Sequence, residues 1–414
     1  MASCVAAQEL GFIDVREMLT RMGRTMRSLE RMDKWRGHPY NWVDIQTLEP
    51  LRPKYVSTVD SGNLLGCLYL CIAELDSLMD SDLNKNAPIA LPDPEVYERT
   101  KQLKVRISDF IAGMDFKVLY DEVRNLFHIG VNTEQGALSR AYYDMLGSEA
   151  RLASFATMMK GDAPPKHFES LGRTCVRAGG HNALVSWSGT MFEYFMPHLL
   201  MDAPRGSLLY ETLAGVLAEQ IARDPDMPWG VSESGYYGFD AQLNYQYKAF
   251  GMPHLALSGG DAGVIAPYAS EMTAGFAPVK AVENLKRMQK MGFRGVQGFY
   301  EAVDCEPGRL PDGAKYRIVK SYMAHHKGMG LIGIANALTD NALVHLFMSR
   351  PEARALSIML EERPARGASV MPEQPSVTQR PAPGGNWARR ASADMCPPDV
   401  IMLTGPDASA LLTA

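Results

Sequence analysis

The chain has 414 residues, with 42 Lys plus Arg against 47 Asp plus Glu and a formal net charge of −5. Hydrophobic residues make up 46% and charged residues 21%, a globular composition that excludes wholesale disorder. The slight acidity argues against a dedicated nucleic-acid binder, which carries a basic domain or stripe.

Met1 to Gln8 lack the basic start and apolar run of a signal peptide. Residues 1–36 read as one helix leading into the main domain, with Leu19, Met22, Met26, Leu29 and Met32 at spacings of three and four. Residues 37–362 alternate helical patterns with loops rich in Gly, Pro and aromatics. Periodicity predicts helices over 64–78, 95–111, 138–160, 207–221, 279–291, 321–338 and 341–360. Few segments alternate with period two, and no β-α-β rhythm runs through the text. The expected class is therefore all-α, with helices packed in antiparallel pairs and little strand. From 363 onward Pro364, Pro372, Pro375, Pro381 and Pro383 punctuate Ser, Arg and Gly without an apolar period. That stretch reads as a linker or tail.

No run approaches 18 uncharged apolar residues, so no spanning helix is expected. The six cysteines, Cys4, Cys67, Cys71, Cys175, Cys305 and Cys396, form no C-x-x-C pair. Neither a zinc site nor a disulfide framework is expected, and the compartment reads as reducing, hence cytoplasmic. Gly328, Gly330 and Gly333 make a G-x-G-x-x-G, but no second strand with an acidic residue follows. Close packing at a helix start explains these glycines better than a dinucleotide. His325 and His326 are adjacent, so on a helix they point about 100° apart and cannot both ligate one metal from one face. No metal and no cofactor is expected.

The carboxylates carry more information. On a helix over 138–160, Tyr142, Met145, Glu149, Leu152 and Ala156 would share a face, placing Glu149 in the apolar seam. An acid there is paired, hydrogen-bonded or raised in pKa. Arg151, two residues on, lies on a different face and is not its obvious partner; a buried structural ion pair is the competing explanation. Glu193 sits in Trp187-Ser-Gly-Thr-Met-Phe-Glu-Tyr, apolar almost all round. Glu233 sits in loop text with Trp229, Tyr236 and Tyr237, and Glu301 follows Phe299-Tyr300. Aromatic faces stack on sugar rings and carboxylates bind hydroxyls or protonate a glycosidic oxygen, so the set points to carbohydrate chemistry.

Several strings resemble one family. His38-Pro-Tyr-Asn-Trp, Thr47-Leu-Glu-Pro-Leu, Tyr55-Val-Ser-Thr-Val-Asp-Ser-Gly-Asn-Leu and Tyr142-Tyr-Asp-Met-Leu-Gly-Ser-Glu-Ala-Arg-Leu-Ala-Ser-Phe are similar to the glycoamylase-like domain of bacterial cyclic β-1,2-glucan synthases. So are Ser186-Trp-Ser-Gly-Thr-Met-Phe-Glu-Tyr, Pro228-Trp-Gly-Val-Ser-Glu-Ser, Asn244-Tyr-Gln-Tyr-Lys-Ala-Phe-Gly and Ser321-Tyr-Met-Ala-His-His-Lys-Gly-Met, over about 35–362. The resemblance implies an (α/α)6 toroid, the six-hairpin glycosidase barrel. It implies a retaining transglycosylase that cleaves linear β-1,2-glucan and rejoins the chain on itself. Glu233 would be the nucleophile and Glu149 the general acid/base, acting through a substrate hydroxyl. Asp144, Trp187, Glu193, Tyr236, Tyr300, Glu301 and His325 would line subsites, with Asp60 and Asn63 leaning structural.

The sequence departs from the family pattern at Gly235-Tyr236-Tyr237-Gly238, where Ala-Tyr-Asn is usual, at Lys327, commonly Gln, and at Pro39. The chain has no glycosyltransferase domain and stops where Asp399-Val-Ile-Met-Leu-Thr resembles the entry to a phosphorylase domain. It therefore reads as a split or truncated piece. The resemblance implies β-1,2-glucan as substrate, the membrane glycosyltransferase and phosphorylase parts as partners, and a place at the inner face of the cell membrane through them. The rival activities are plain endo-β-1,2-glucan hydrolysis and a non-catalytic glycan-binding module of a split synthase.

Overall fold

The computed structural model describes residues 1–80, 93–311, 313–364, 400–404 and 409–413. The chain divides into two units, Met1–Glu373 and Gln374–Ala414. In the second, the described residues are two antiparallel strands, Val400–Thr404 and Ser409–Thr413, in register from Val400–Thr413 to Thr404–Ser409. The rest of the Pro-rich stretch beyond Pro364 lies outside the described residues.

The first unit is built from helices. They are α1 (Ala2–Glu9), α2 (Val15–Arg31), α3 (Thr58–Met79), α4 (Pro94–Gly113), α5 (Ala150–Lys160), α6 (Lys166–Ser170) and α7 (Met191–Phe195). Then follow α8 (Leu208–Ala222), α9 (Pro267–Met272), α10 (Pro278–Lys290), α11 (Ala324–Leu338), α12 (Ala342–Met348) and α13 (Pro351–Leu356). The strands between them are short, two to six residues each, and pair antiparallel in sheets of two or three.

Local chemistry sets the boundaries. The single helix expected over 1–36 is two helices. Gly11 at φ +72° ends the first, and the Asp14 side chain accepts the Glu17 N–H at 2.8 Å to start the second. The helix expected over 138–160 begins only at Ala150, because Tyr142–Tyr143 is drawn into a strand pairing with Leu126–His128. Ser148 then opens the helix, its Oγ accepting the Ala150 N–H at 3.2 Å. Glu149 is thus the residue before the first turn rather than a seam position. The predicted 321–338 helix begins at Ala324, and Pro351 cuts 341–360 into α12, α13 and a 3₁₀ turn.

Within this unit the packing partners return on themselves. Helix α3 packs on α5, and α5 on the 3₁₀ turn Pro197–Leu199 that continues α7. Helix α7 packs on α9, α9 on α11, and α11 meets α3 again through α1 and α12. Helix α3 is long and apolar enough to cross a membrane by length and composition. Here it is a core helix, with Leu65, Leu68, Leu70, Ile72 and Leu75 buried; each such side chain contributes about 1.5–3 kcal/mol of burial. The glycines of the G-x-G-x-x-G lie within α11. A Cβ on Gly333 would stand 2.4 Å from the Glu271 carbonyl oxygen, and one on Gly330 would meet the Glu271 side chain. They let α11 lie against α9.

Candidate active site

The predicted acids gather because the helices of this closed circuit begin beside one another. Asp60 is in the first turn of α3, Glu149 precedes α5, Glu193 is in the first turn of α7, Tyr268 opens α9, and His325 and His326 open α11. Helix N-termini present unpaired N–H groups and a partial positive charge, which favours carboxylates there. Glu233 comes from the loop before the strand Ser234–Phe239. Buried polar side chains from three helices hold that loop. Gln220 Oε1 accepts the N–H groups of Gly230 and Val231, and its Nε2 donates to the Val231 carbonyl. Asn284 accepts from the Trp229 N–H and donates to its carbonyl, while the Tyr268 hydroxyl donates to the Glu233 carbonyl at 2.8 Å.

Glu149 is half-buried, walled by protein except toward the site. Burial pushes its carboxyl up to about 8, with the charges of Glu193 and Glu233 adding to the rise. The Ser148 hydroxyl donates to it at 3.1 Å. Arg151 does not pair with it. That buried guanidinium donates to the carbonyls of Leu146 and Tyr194, and burial lowers it to about 10. Glu193 is different in kind. Its carboxylate accepts from the Ser186 hydroxyl at 2.9 Å, the Thr190 N–H at 2.9 Å and the Ser188 N–H at 3.1 Å, closing a capping box on α7. Burial raises it and these donors counter the rise. Glu193 therefore holds the 186–190 loop, three of the hydrogen bonds it accepts falling on Oε2 and one on Oε1.

Glu233 is also half-buried, and burial pushes it up to about 6. A hydrogen bond from Tyr247 counters the rise, while the charges of Glu193 and Asp60 add to it. Behind Tyr247 lies His326, fully buried, stacked on Tyr268 at 3.8 Å between ring centroids and 9° between planes. Its Nε2 is 3.2 Å from the Tyr247 hydroxyl and its Nδ1 is 2.8 Å from Glu301 Oε1. Glu301, expected to line a subsite, is instead buried behind the site, where it also accepts the Gly235 N–H at 3.2 Å. Tyr247, Tyr268 and His326 were not singled out from the sequence as site residues. The adjacent histidines held a signal: on α11 His326 points inward and His325 outward.

The remaining candidates fall at the margins. Asp60 is open to solvent yet surrounded by protein; its carboxyl, raised by burial, faces a cavity of about 190 Å³ lined by Tyr40, Asn41, Ser57 and Leu64 among others. Its charge acts on both Glu233 and Tyr143. Asp60 thus stands near the candidate acids, while Asn63 Oδ1 is buried without a hydrogen-bond partner among the described residues. Asp144 is raised by burial, and its Oδ1 has no hydrogen-bond partner among the described residues. Trp187 is exposed on the loop that Glu193 holds. The Tyr236 hydroxyl bonds Gln246 Oε1, and the Arg309 guanidinium lies 5.4 Å over the Tyr236 ring. Tyr300 packs beside Tyr322 at 5.4 Å. His325 is exposed beside Tyr247. Among the described residues, no group of three or more His, Cys, Asp or Glu could hold a metal ion.

Residues 222–351 match the glycoamylase family model, described as "Putative glucoamylase". The chain is 31% identical to the cyclic beta-(1,2)-glucan synthase NdvB of Rhizobium meliloti over 98% of its own length, but spans only 18% of that protein. Among solved structures it is similar to the endo-beta-1,2-glucanase of Chitinophaga pinensis in complex with sophorotriose and glucose. There the TM-score is 0.62 and the identity 17%, over 86% of this chain and 84% of that one. The beta-1,2-glucanase of Parabacteroides distasonis matches with TM-score 0.65 and 17% identity, over 86% of this chain and 53% of that one. At these identities the likeness to the solved structures is one of fold.

Proposed function

The chain carries a glycoamylase-like domain, and from that premise we propose that it is a retaining transglycosylase of β-1,2-glucan built on an (α/α)6 toroid. One observation supports the division of labour most directly. Two neighbouring acids are pushed apart, Glu149 to about 8 and Glu233 to about 6. Near neutral pH the first is largely protonated and the second largely ionised, the states of an acid and a nucleophile.

In the first step the Glu233 carboxylate attacks the anomeric carbon. The glycosidic C–O bond breaks and the leaving oxygen gains a proton originating on Glu149, relayed by a substrate hydroxyl. A glycosyl ester on Glu233 remains, while Glu149 is ionised. In the second step a hydroxyl at the far end of the same glucan attacks that carbon and loses its proton to Glu149. The ester bond breaks, and two inversions leave the anomeric configuration as it began. Water in place of the sugar hydroxyl gives hydrolysis instead. The substrate is neutral, so the chain's small net charge suits it.

The experiment is incubation of the purified chain with linear β-1,2-glucan, followed by mass analysis. Rings, lighter by one water than linear chains of equal length, mark transfer; linear oligomers mark hydrolysis; no turnover marks a binding module. Glu149→Gln lowers kcat by about 10²–10⁴. Azide separates the two roles: Glu233→Ala with azide yields an α-glycosyl azide, and Glu149→Ala with azide yields the β form. The opposite pattern exchanges the assignments. The membrane glycosyltransferase and phosphorylase parts are the proposed partners, placing the domain at the inner face of the cell membrane.

A further inference from the structure

Glu233, Tyr247, His326 and Glu301, from three well-separated stretches of the chain, form one hydrogen-bonded line. The Tyr247 hydroxyl bonds the Glu233 carboxylate and lies 3.2 Å from His326 Nε2. The exposed His325 Nε2 is farther, at 3.4 Å. His326 Nδ1 is held 2.8 Å from Glu301 Oε1. The side chains of His326 and Glu301 have no exposure, and among the described residues Glu301 Oε2 has no hydrogen-bond partner. The imidazole is held on one face by the stacked Tyr268 ring at 3.8 Å, with Tyr247, His325 and Phe192 packed around it. The charged groups around Glu233 are Asp60, Glu193 and Glu149.

Counting protons along this line constrains its state. A phenol has one hydrogen to give. When Tyr247 gives it to ionised Glu233, its oxygen can only accept, so the shorter contact, to His326, is a hydrogen bond only if Nε2 carries a proton. Nδ1 and Glu301 Oε1 then share a second proton, either as imidazolium with carboxylate or as neutral imidazole with carboxylic acid. If the pair holds only one proton, it sits between Nδ1 and Glu301, Nε2 is bare, and Tyr247 turns its hydrogen away from Glu233 toward Nε2.

We propose that Tyr247, His326 and Glu301 are a positioning relay that keeps Glu233 ionised and aimed, and that it does so only while the His326–Glu301 pair holds two protons. This rests on Glu233 being a reacting carboxylate, and it adds what none of the three contributes alone. Glu301 acts on Glu233 through two intermediates without touching the substrate. Its buried, half-satisfied carboxylate is retained because it fixes the imidazole's proton count.

The test has two arms. In the full chain labelled with ¹⁵N-histidine and without substrate, the His326 Nε2 signal, assigned by its loss in His326→Gln, is that of a protonated nitrogen at pH 7. A bare Nε2 overturns the relay, and this arm stands even if the chain turns over no glucan. The second arm is the pH profile of kcat/KM on linear β-1,2-glucan. Tyr247→Phe removes a hydrogen bond to a charged group and moves the acid limb up by about one pH unit. Glu301→Gln does the same, since an amide oxygen facing the Gly235 N–H leaves the proton on Nδ1 and Nε2 bare. His326→Leu follows them, whereas His326→Gln, whose carboxamide N–H reaches the same place, keeps the wild-type limb. A fall by an equal factor at every pH, with the limb unmoved, reduces these residues to packing and overturns the proposal. Tyr247, half-exposed, keeps the test open should the buried variants fail to fold.

Discussion

Glu149 and Glu193 are both glutamates beside a helix N-terminus, yet they are held to different degrees. The difference is made by neighbours: Thr190, Ser188 and Ser186 donate to Glu193, while among the described residues the side-chain donor to Glu149 is Ser148. An under-satisfied acid is held at the expense of stability. The folded Glu149 carboxyl is raised to about 8 from an ordinary 4.5, so its burial weighs against folding increasingly as pH climbs through that interval and fully above it. Glu149→Gln removes the charge and keeps the shape. Its melting temperature is expected to exceed wild type at pH 8.5, by on the order of 1–3 kcal/mol of stability, and to match it at pH 4. Equal melting at pH 8.5 contradicts this. That several acids stand in apolar, aromatic text was legible from sequence. Which acids are occupied was not, because the donors to Glu301 are His326 and Gly235, distant in the chain.

At the scale of elements, the sequence conveyed helices best where period and cap agree, as in α8 with Ser207 and α10 with Pro278. It misread 138–160, where an apolar period survives through Tyr142 and Met145 although those residues serve a strand and a bridge. Three-to-four spacing and short alternation look alike over so few residues. The glycines of α11 do serve close packing, but inside the helix and not at its start as the sequence suggested. They make a contrast with Gly23 of α2, where an added Cβ meets nothing within 4 Å. Gly23→Ala is expected to stabilise by about 0.5–1 kcal/mol. Gly333→Ala, pressed against the backbone of Glu271 and Met272, is expected to destabilise by about 1–3 kcal/mol. Urea denaturation of both variants checks the pair; a stabilising Gly333→Ala would mean that α9 and α11 separate freely.

For the whole molecule, buried titratable groups bound stability on two sides. Burial raises Glu74 to about 7 and Glu149 to about 8, and also raises Glu271. These acids contribute stability below their ordinary pKa and lose it as pH rises through the folded values. Burial lowers His38 and His167, and lowers His198 to about 4. The histidines contribute stability above their ordinary 6.5 and lose it as pH falls. The melting temperature is therefore expected to peak between about pH 4.5 and 6.5 and to decline on both sides, read by scanning fluorimetry. A melting temperature still rising from pH 6.5 to 8 refutes the acid half.

The gathering of helix starts from α3 to α11 has a kinetic meaning. Asp60 and His326 stand at opposite ends of the sequence that the circuit encloses, and the contacts joining α11 to α1, and α12 to α3, span nearly all of it. Contacts of such sequence separation are the slow ones to form, since long loops must close before any reward is gained. Glu149, Glu193 and Glu233 lie in one stretch of the chain and can come together without that closure, but Asp60 and the His326–Glu301 pair stand on its two sides. Completion of the candidate site is thus expected to be a late event of folding, reached when the circuit shuts.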